Sequence, residues 1–135
     1  EDRLLTASLT DAGTASVQTC RISPNYLKGC TLEGEGFALL LTGRYRSGGA
    51  EQALVVDSSA QVARSIPITG QVLDYSACGE YFALLTGSRL TIYDGQLEQF
   101  AALDYPRGAR TIDLASNGSA LLANEQEAWL FIPQQ

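Results

Sequence analysis

The sequence predicts an all-β fold built from antiparallel, four-stranded repeats, and three observations predict it. The first is recurrence. Asp74 to Asp94 reads DYSACGEYFALLTGSRLTIYD and Asp113 to Ile132 reads DLASNGSALLANEQEAWLFI; setting Asp74 on Asp113 gives an ungapped offset of 39 that brings Gly79 onto Gly118, Leu90 onto Trp129 and Ile92 onto Phe131. Upstream, GEGFALL at Gly34 to Leu40 matches GEYFALL at Gly79 to Leu85 with an offset of 45, and ALVVD at Ala53 to Asp57 matches LTIYD at Leu90 to Asp94 with an offset of 37. The two offsets differ by an eight-residue insertion between Leu40 and Ala53. A period near 40 residues is the mark of a repeat architecture. The second observation is punctuation: short apolar runs alternate with Gly, Asp, Asn and Ser turns. The third is composition. At 45% hydrophobic and 18% charged residues over a length of 135, the chain has the make-up of one globular domain.

In chain order, Leu4 to Thr10 and Ala15 to Ile22 read as two strands around a turn at 11–14, and Pro24 breaks the chain after them. These N-terminal strands occupy 1–25. The first full repeat, 26–70, has strands at Tyr26 to Leu32, Phe37 to Arg44, Gln52 to Val56 and Val62 to Ile68. The second, 71–108, has them at Val72 to Ser76, Tyr81 to Thr86, Leu90 to Tyr93 and Leu97 to Leu103. The third, 109–135, has Thr111 to Leu114, Ser119 to Ala123 and Ala128 to Ile132, and no fourth strand. Ala83-Leu84-Leu85 is apolar without alternation, as expected of a strand covered on both sides, and Phe82 and Leu84 are expected on its opposite faces. Asp57-Ser58-Ser59 and Asp94-Gly95-Gln96 fall at matching turns, where the Asp-Gly pair suits a tight hairpin because glycine accepts positive φ. Ser119 to Phe131 has helical propensity, rich in Ala, Leu, Glu and Gln. Its alignment with two strand-like copies outweighs that propensity and makes Asn124 to Glu127 a hairpin loop.

Four short strands per repeat of about 40 residues, joined by polar turns, form the blade of a β-propeller. The chain resembles the blades of WD-repeat and quinoprotein-type propellers. More narrowly, Gly79-Glu80-Tyr81-Phe82-Ala83-Leu84-Leu85, Leu90-Thr91-Ile92-Tyr93-Asp94 and Asn117-Gly118-Ser119-Ala120-Leu121-Leu122 resemble the C-terminal blades of a bacterial propeller family of unknown function. Members of that family are extracytoplasmic and held by an N-terminal membrane helix, so the resemblance implies an extracytoplasmic location. The chain carries no Gly-His and no Trp-Asp pair, and its quinoprotein signature is incomplete, so no cofactor is carried over.

Charge and residue inventory exclude several function classes. The net charge is −6 and Lys28 is the only lysine. Nucleic-acid binding needs a basic face that displaces counterions, so no nucleic-acid partner is expected. No apolar run approaches the roughly 20 residues of a membrane helix, so no membrane insertion by this chain is expected. There is no histidine, which removes Ser-His-Asp and Cys-His nucleophile systems and leaves no common zinc motif. Cys20, Cys30 and Cys78 read as small residues in strands, with Cys20 and Cys30 placed to face each other. Gly34-Glu35-Gly36 lacks the third glycine of a dinucleotide loop.

The insertion carries the candidate binding residues: Arg44, Tyr45 and Arg46. Two arginines about a tyrosine, on a hairpin extended past its neighbours, suit an acidic or carbohydrate partner; the alternative is a solvated hairpin. The carboxylates recur instead: Asp57 with Asp94 at a turn, Glu35 with Glu80 at a strand entrance, Asp74 with Asp113 near the first strand. Glycoside hydrolysis needs one asymmetric pair, whereas structure needs the same turn in every blade, so the recurrence favours structure. Tyr75, Tyr81, Tyr93, Tyr105, Phe100 and Trp129 read as packing between blades. The expected function is a non-enzymatic propeller scaffold or binding module for a protein or carbohydrate ligand. The alternatives are a fragment of a propeller enzyme, such as a carbohydrate-active hydrolase completed by further blades, and a purely structural piece. Three blades or fewer fall below the usual 4–8, so self-association or docking to further blades is expected.

Overall fold

The protein is described by a computed structural model covering residues 2–9, 15–22, 24–31, 37–57 and 59–133. Four antiparallel sheets follow one another along the chain. β1 (Arg3–Leu9) and β2 (Ala15–Arg21) form a hairpin. β3 (Tyr26–Thr31), β4 (Phe37–Gly43), β5 (Gln52–Asp57) and β6 (Val62–Pro67) form the first blade. The second blade is β7 (Val72–Cys78), β8 (Tyr81–Thr86), β9 (Arg89–Tyr93) and β10 (Gln99–Asp104). The third is β11 (Thr111–Leu114), β12 (Ala120–Ala123) and β13 (Ala128–Phe131), three strands in sequence order. The helix-prone segment is a strand hairpin: Asn124 Oδ1 accepts from Gln126 N at 2.8 Å and Glu127 N at 2.9 Å and closes its loop. The expected turn at 11–14 and the motif residues Gly34, Glu35, Gly36 and Ser58 lie outside the described residues.

Three apolar clusters lie between successive sheets. Cys20, Ile22, Leu40 and Val56 join the hairpin to the first blade. Leu39, Leu41, Val55, Ala77, Phe82 and Leu84 join the first blade to the second. Ala83, Leu85, Leu90, Ile92, Ile112 and Leu122 join the second to the third. The middle strands are therefore buried on both faces, which is why they read as unbroken apolar runs. Phe82 and Leu84 share one face, against the expectation that they oppose each other. Side chains alternate with a period of two, so Phe82 and Leu84 point to the first blade and Ala83 and Leu85 to the third. Cys20 is buried, Cys30 is exposed, and all three cysteines are free.

The pairing also corrects the repeat alignment. Phe82 pairs with Tyr93 as Ala120 pairs with Phe131, so Ile92 corresponds to Leu130 and not to Phe131. On β7, Asp74 pairs with Leu85 as Thr111 pairs with Ala123, so Asp74 corresponds to Thr111, and Asp113 to Ser76. In the first blade Ala38 pairs with Val56, which moves its second strand by one residue and shortens the insertion. The slips are absorbed in loops: two residues separate β7 from β8, five separate β11 from β12.

The recurring Asp57 and Asp94 build one turn twice. Asp57 Oδ1 accepts from Ser59 N at 2.9 Å and Gln61 N at 3.0 Å, and Asp94 Oδ1 from Gln96 N at 2.9 Å and Glu98 N at 3.0 Å. The left-handed position is not the expected Gly95. It is Ala60 (φ 62) and Leu97 (φ 59), whose side chains are buried between sheets.

Hydrogen bonds also sew the second and third blades together along their first strands. Asp74 Oδ2 accepts from Ile112 N at 2.8 Å and Ser76 Oγ from Leu114 N at 3.1 Å. Asp74→Ala leaves a part-buried N–H without its acceptor and is expected to cost about 1–3 kcal/mol. Asp74→Asn keeps an acceptor oxygen and is expected to lose less. Urea denaturation of both variants measures the difference; equal, negligible losses would show that the bond contributes nothing.

Candidate functional site

The inserted hairpin joins β4 to β5 and is shaped by its own charges. Gly43 ends β4 where the loop folds back so closely that a Cβ there would lie 2.5 Å from Gly49 O. Glu51 closes the other end: its N–H donates to Thr42 O at 2.7 Å. The Arg44 guanidinium then grips the Glu51 carboxylate, with Nε at 3.0 Å and Nη2 at 2.9 Å from Oε2, while Arg44 N donates to Oε1 at 2.7 Å. These hydrogen bonds to Arg44 hold the Glu51 carboxyl below the usual carboxylate range and push the guanidinium up. Arg44 thus has a partner within the loop, one that the sequence reading missed. The available signal was the position of Glu51 at the far end of the insertion, opposite Arg44.

Tyr45 and Arg46 are held differently. Tyr45 is 62% exposed at the loop's edge, with the Arg44 guanidinium 5.5 Å from its ring centre. Arg46 reaches back over β3, its guanidinium 5.0 Å from the Tyr26 ring centre. Lys28 Nζ lies 5.9 Å from the same ring and donates to Arg46 O at 2.7 Å. Arg44 and Arg46 therefore meet different partners, and the lone lysine joins Arg46 at Tyr26. The outcome is a cationic, aromatic corner on an acidic protein, with Tyr45 its most exposed ring. Guanidinium stacked on an aromatic face keeps its N–H fork free for carboxylates, and an exposed tyrosine offers a stacking face to sugars or peptides.

Glu80 is exposed, Asp113 is exposed on the outward face of the third blade, and Glu35 lies outside the described residues. Among the described residues no three His, Cys, Asp or Glu side chains gather as a metal site. Among them also, no helix is long and apolar enough to cross a membrane. The aromatic residues mainly pack: Tyr81 against Phe100 at 4.6 Å, and Phe82 stacked on Tyr93 at 4.9 Å. Tyr105 departs from this, 79% exposed in the turn that leads to the third blade.

No family model matches the chain, and no curated protein does either. Among solved structures it is similar to the crystal structure of Kluyvelomyces marxianus Hsv2, a β-propeller, with 14% identity and a TM-score of 0.50 over 85% of this chain and 39% of that one. At that identity the likeness is one of fold alone. The chain has an all-β, propeller-like fold and spans well under half the length of that protein.

Proposed function

We propose that the chain is a non-enzymatic propeller scaffold whose β4–β5 hairpin binds a protein or carbohydrate partner through Tyr45 and Arg46. The observation that carries this reading is the exposed Tyr45 and the Arg46 guanidinium over Tyr26, both on a loop braced by Arg44 and Glu51. Bracing cuts the ordering cost of binding, since the loop is already shaped. A non-enzymatic role is supported by the use of Asp57, Asp74 and Asp94 as acceptors for backbone N–H groups. An extracytoplasmic location is supported by the blades' resemblance to a membrane-anchored bacterial family.

A glycan array and a displayed peptide library, probed with the wild-type protein and with Tyr45→Ala/Arg46→Ala, test the reading. The wild type is expected to enrich one ligand class and the double variant to lose it. The melting temperature is expected to hold, because surface changes stay within about ±0.5 kcal/mol. No enrichment, or enrichment that survives the substitutions, would overturn it.

The scaffold reading extends to the outward face of the third blade, where we place a further blade. Leu130 stands where the second blade has Ile92, and Leu121 where it has Ala83. Ile92 and Ala83 are 0% exposed beneath a neighbouring blade; Leu130 is 59% and Leu121 47% exposed. The isolated chain is expected to self-associate through this face at micromolar concentration, and Leu121→Asp/Leu130→Asp to abolish that. A monomer by sedimentation would sink the assignment.

A further inference from the structure

A cleft of about 310 Å³ lies between the first and second blades, lined in part by Pro67, Ile68, Leu84, Thr86, Thr91 and Tyr93. Its volume is at the lower end of the range for ligand pockets. Its counterpart between the second and third blades is filled by the chain itself. Strand pairing identifies that counterpart: Leu84 pairs with Thr91 as Leu122 pairs with Trp129, and Phe82 with Tyr93 as Ala120 with Phe131. Leu84 therefore stands where Leu122 does, Tyr93 where Phe131 does, and Thr91 where Trp129 does. Trp129 packs onto the apolar cluster of its gap, with the Arg107 guanidinium 5.6 Å from its ring centre. At Thr91 an indole is thus replaced by a hydroxyethyl group, while at Phe82 a benzyl group replaces the methyl of Ala120, and the cleft lies beside Thr91.

The walls suit what is missing. Leu84 is buried, and Ile68 and Tyr93 are half-buried. Burial raises the Tyr93 hydroxyl above its ordinary pKa, opposed by a hydrogen bond from Thr91, so the phenol stays neutral and its ring is a partly desolvated surface. Thr86 and Thr91, 8% and 9% exposed, add hydroxyl oxygens, and with Thr69, Ser88, Arg89 and Gln99 they make the lining mixed in polarity. Thr86 Oγ1 is already held by Arg89, accepting from its N–H at 3.1 Å and donating to its carbonyl oxygen at 3.2 Å; in the counterpart gap Trp129 Nε1 is buried without a hydrogen-bond partner.

We propose that this cleft takes a tryptophan side chain presented by a protein partner. An aromatic anchor that enters a preformed pocket carries much of an interface's binding energy. The site is separate from the β4–β5 hairpin, and its test does not depend on that loop.

The probes are end-blocked Ala-Trp-Ala, Ala-Phe-Ala and Ala-Ala-Ala peptides and free indole, followed by amide chemical shifts. Saturable shifts at Leu84, Thr86 and Thr91 are expected with the tryptophan peptide. Affinity is expected to be about tenfold weaker for phenylalanine and absent for alanine. Thr91→Trp is expected to fold, fill the gap as Trp129 fills its own, and abolish binding; Thr91→Phe is a second blocking variant should the first fail to fold. Thr91→Ala, which keeps the space, is expected to retain binding within a few-fold, and Tyr45→Ala/Arg46→Ala to leave it unchanged. The proposal is overturned by no saturation near about 1 mM peptide, by shifts that map elsewhere, or by a folded blocking variant that still binds. Binding of indole but not of the tryptophan peptide would assign the cleft to a free small aromatic and overturn the protein partner.

Discussion

Phe82→Ala is expected to destabilise the protein by about 3–5 kcal/mol, the usual cost of removing a buried phenylalanine. Phe82 is 0% exposed on β8, on the face that meets the first blade. Its ring stacks on Tyr93 at 4.9 Å with an interplanar angle of 18°, a contact worth about 0.5–1.5 kcal/mol beyond area burial. The void has little means of collapse, because its walls are strands fixed on both sides by backbone ladders. Phe82→Leu keeps most of the volume and is expected to lose a fraction of that amount. Urea denaturation measures both, as a fall in midpoint at unchanged slope. A loss of only a few tenths for Phe82→Ala would be incompatible with the packing between the first two blades.

Leu97 is expected to break the ordinary ranking of alanine over glycine. Its side chain is 6% exposed and belongs to the cluster between the first two blades, although its backbone is left-handed at φ 59. Leu97→Ala discards the packing and keeps the strained backbone, at an expected cost of about 2–5 kcal/mol. Leu97→Gly removes one carbon more, yet relieves a left-handed strain of roughly 1–2 kcal/mol. The glycine variant is therefore expected to be at least as stable as the alanine one. Equilibrium unfolding of the pair decides it: a glycine variant less stable than the alanine variant would mean that the turn stores no strain at this position.

Strands were legible in this sequence because apolar runs, turn residues and a period near 40 all act locally. The architecture followed from the same signals, since unalternating runs such as Ala83-Leu84-Leu85 require cover on both sides. Register was less legible. Phe82 opposite Tyr93 and Ala120 opposite Phe131 define a correspondence one residue away from the best ungapped match. Both alignments place apolar residues on apolar residues, but a shift of one reverses every side chain between faces. Only the backbone ladder distinguishes them. The same limit hid the true left-handed positions: Asp94-Gly95 has turn chemistry, but the turn that Asp94 caps puts its strain three residues on, at Leu97. At the candidate site, Arg44, Tyr45 and Arg46 were legible as an insertion rich in cations. Their partners were not, because Glu51 and Tyr26 are joined to them by loop closure and by a neighbouring strand. The tryptophan-sized cleft left no trace in the sequence at all, because a space beside Thr91 exists only once Trp129 is known to fill its counterpart.

Among the described residues the hairpin and the three blades touch in a single file, each sheet sharing an apolar cluster with the next. Stability in such a stack is a sum of sheet terms and nearest-neighbour interface terms, as in a one-dimensional lattice. The first and second blades are each held by two interfaces, and the hairpin and third blade at the ends of the file by one. Thermal opening is therefore expected to begin at the ends and run inward, so that the first and second blades come apart last. The β4–β5 hairpin hangs from the first blade and rides on that gradient. A partner that clamps the first blade to the second would stiffen the loop without touching it, because both draw on the same interface.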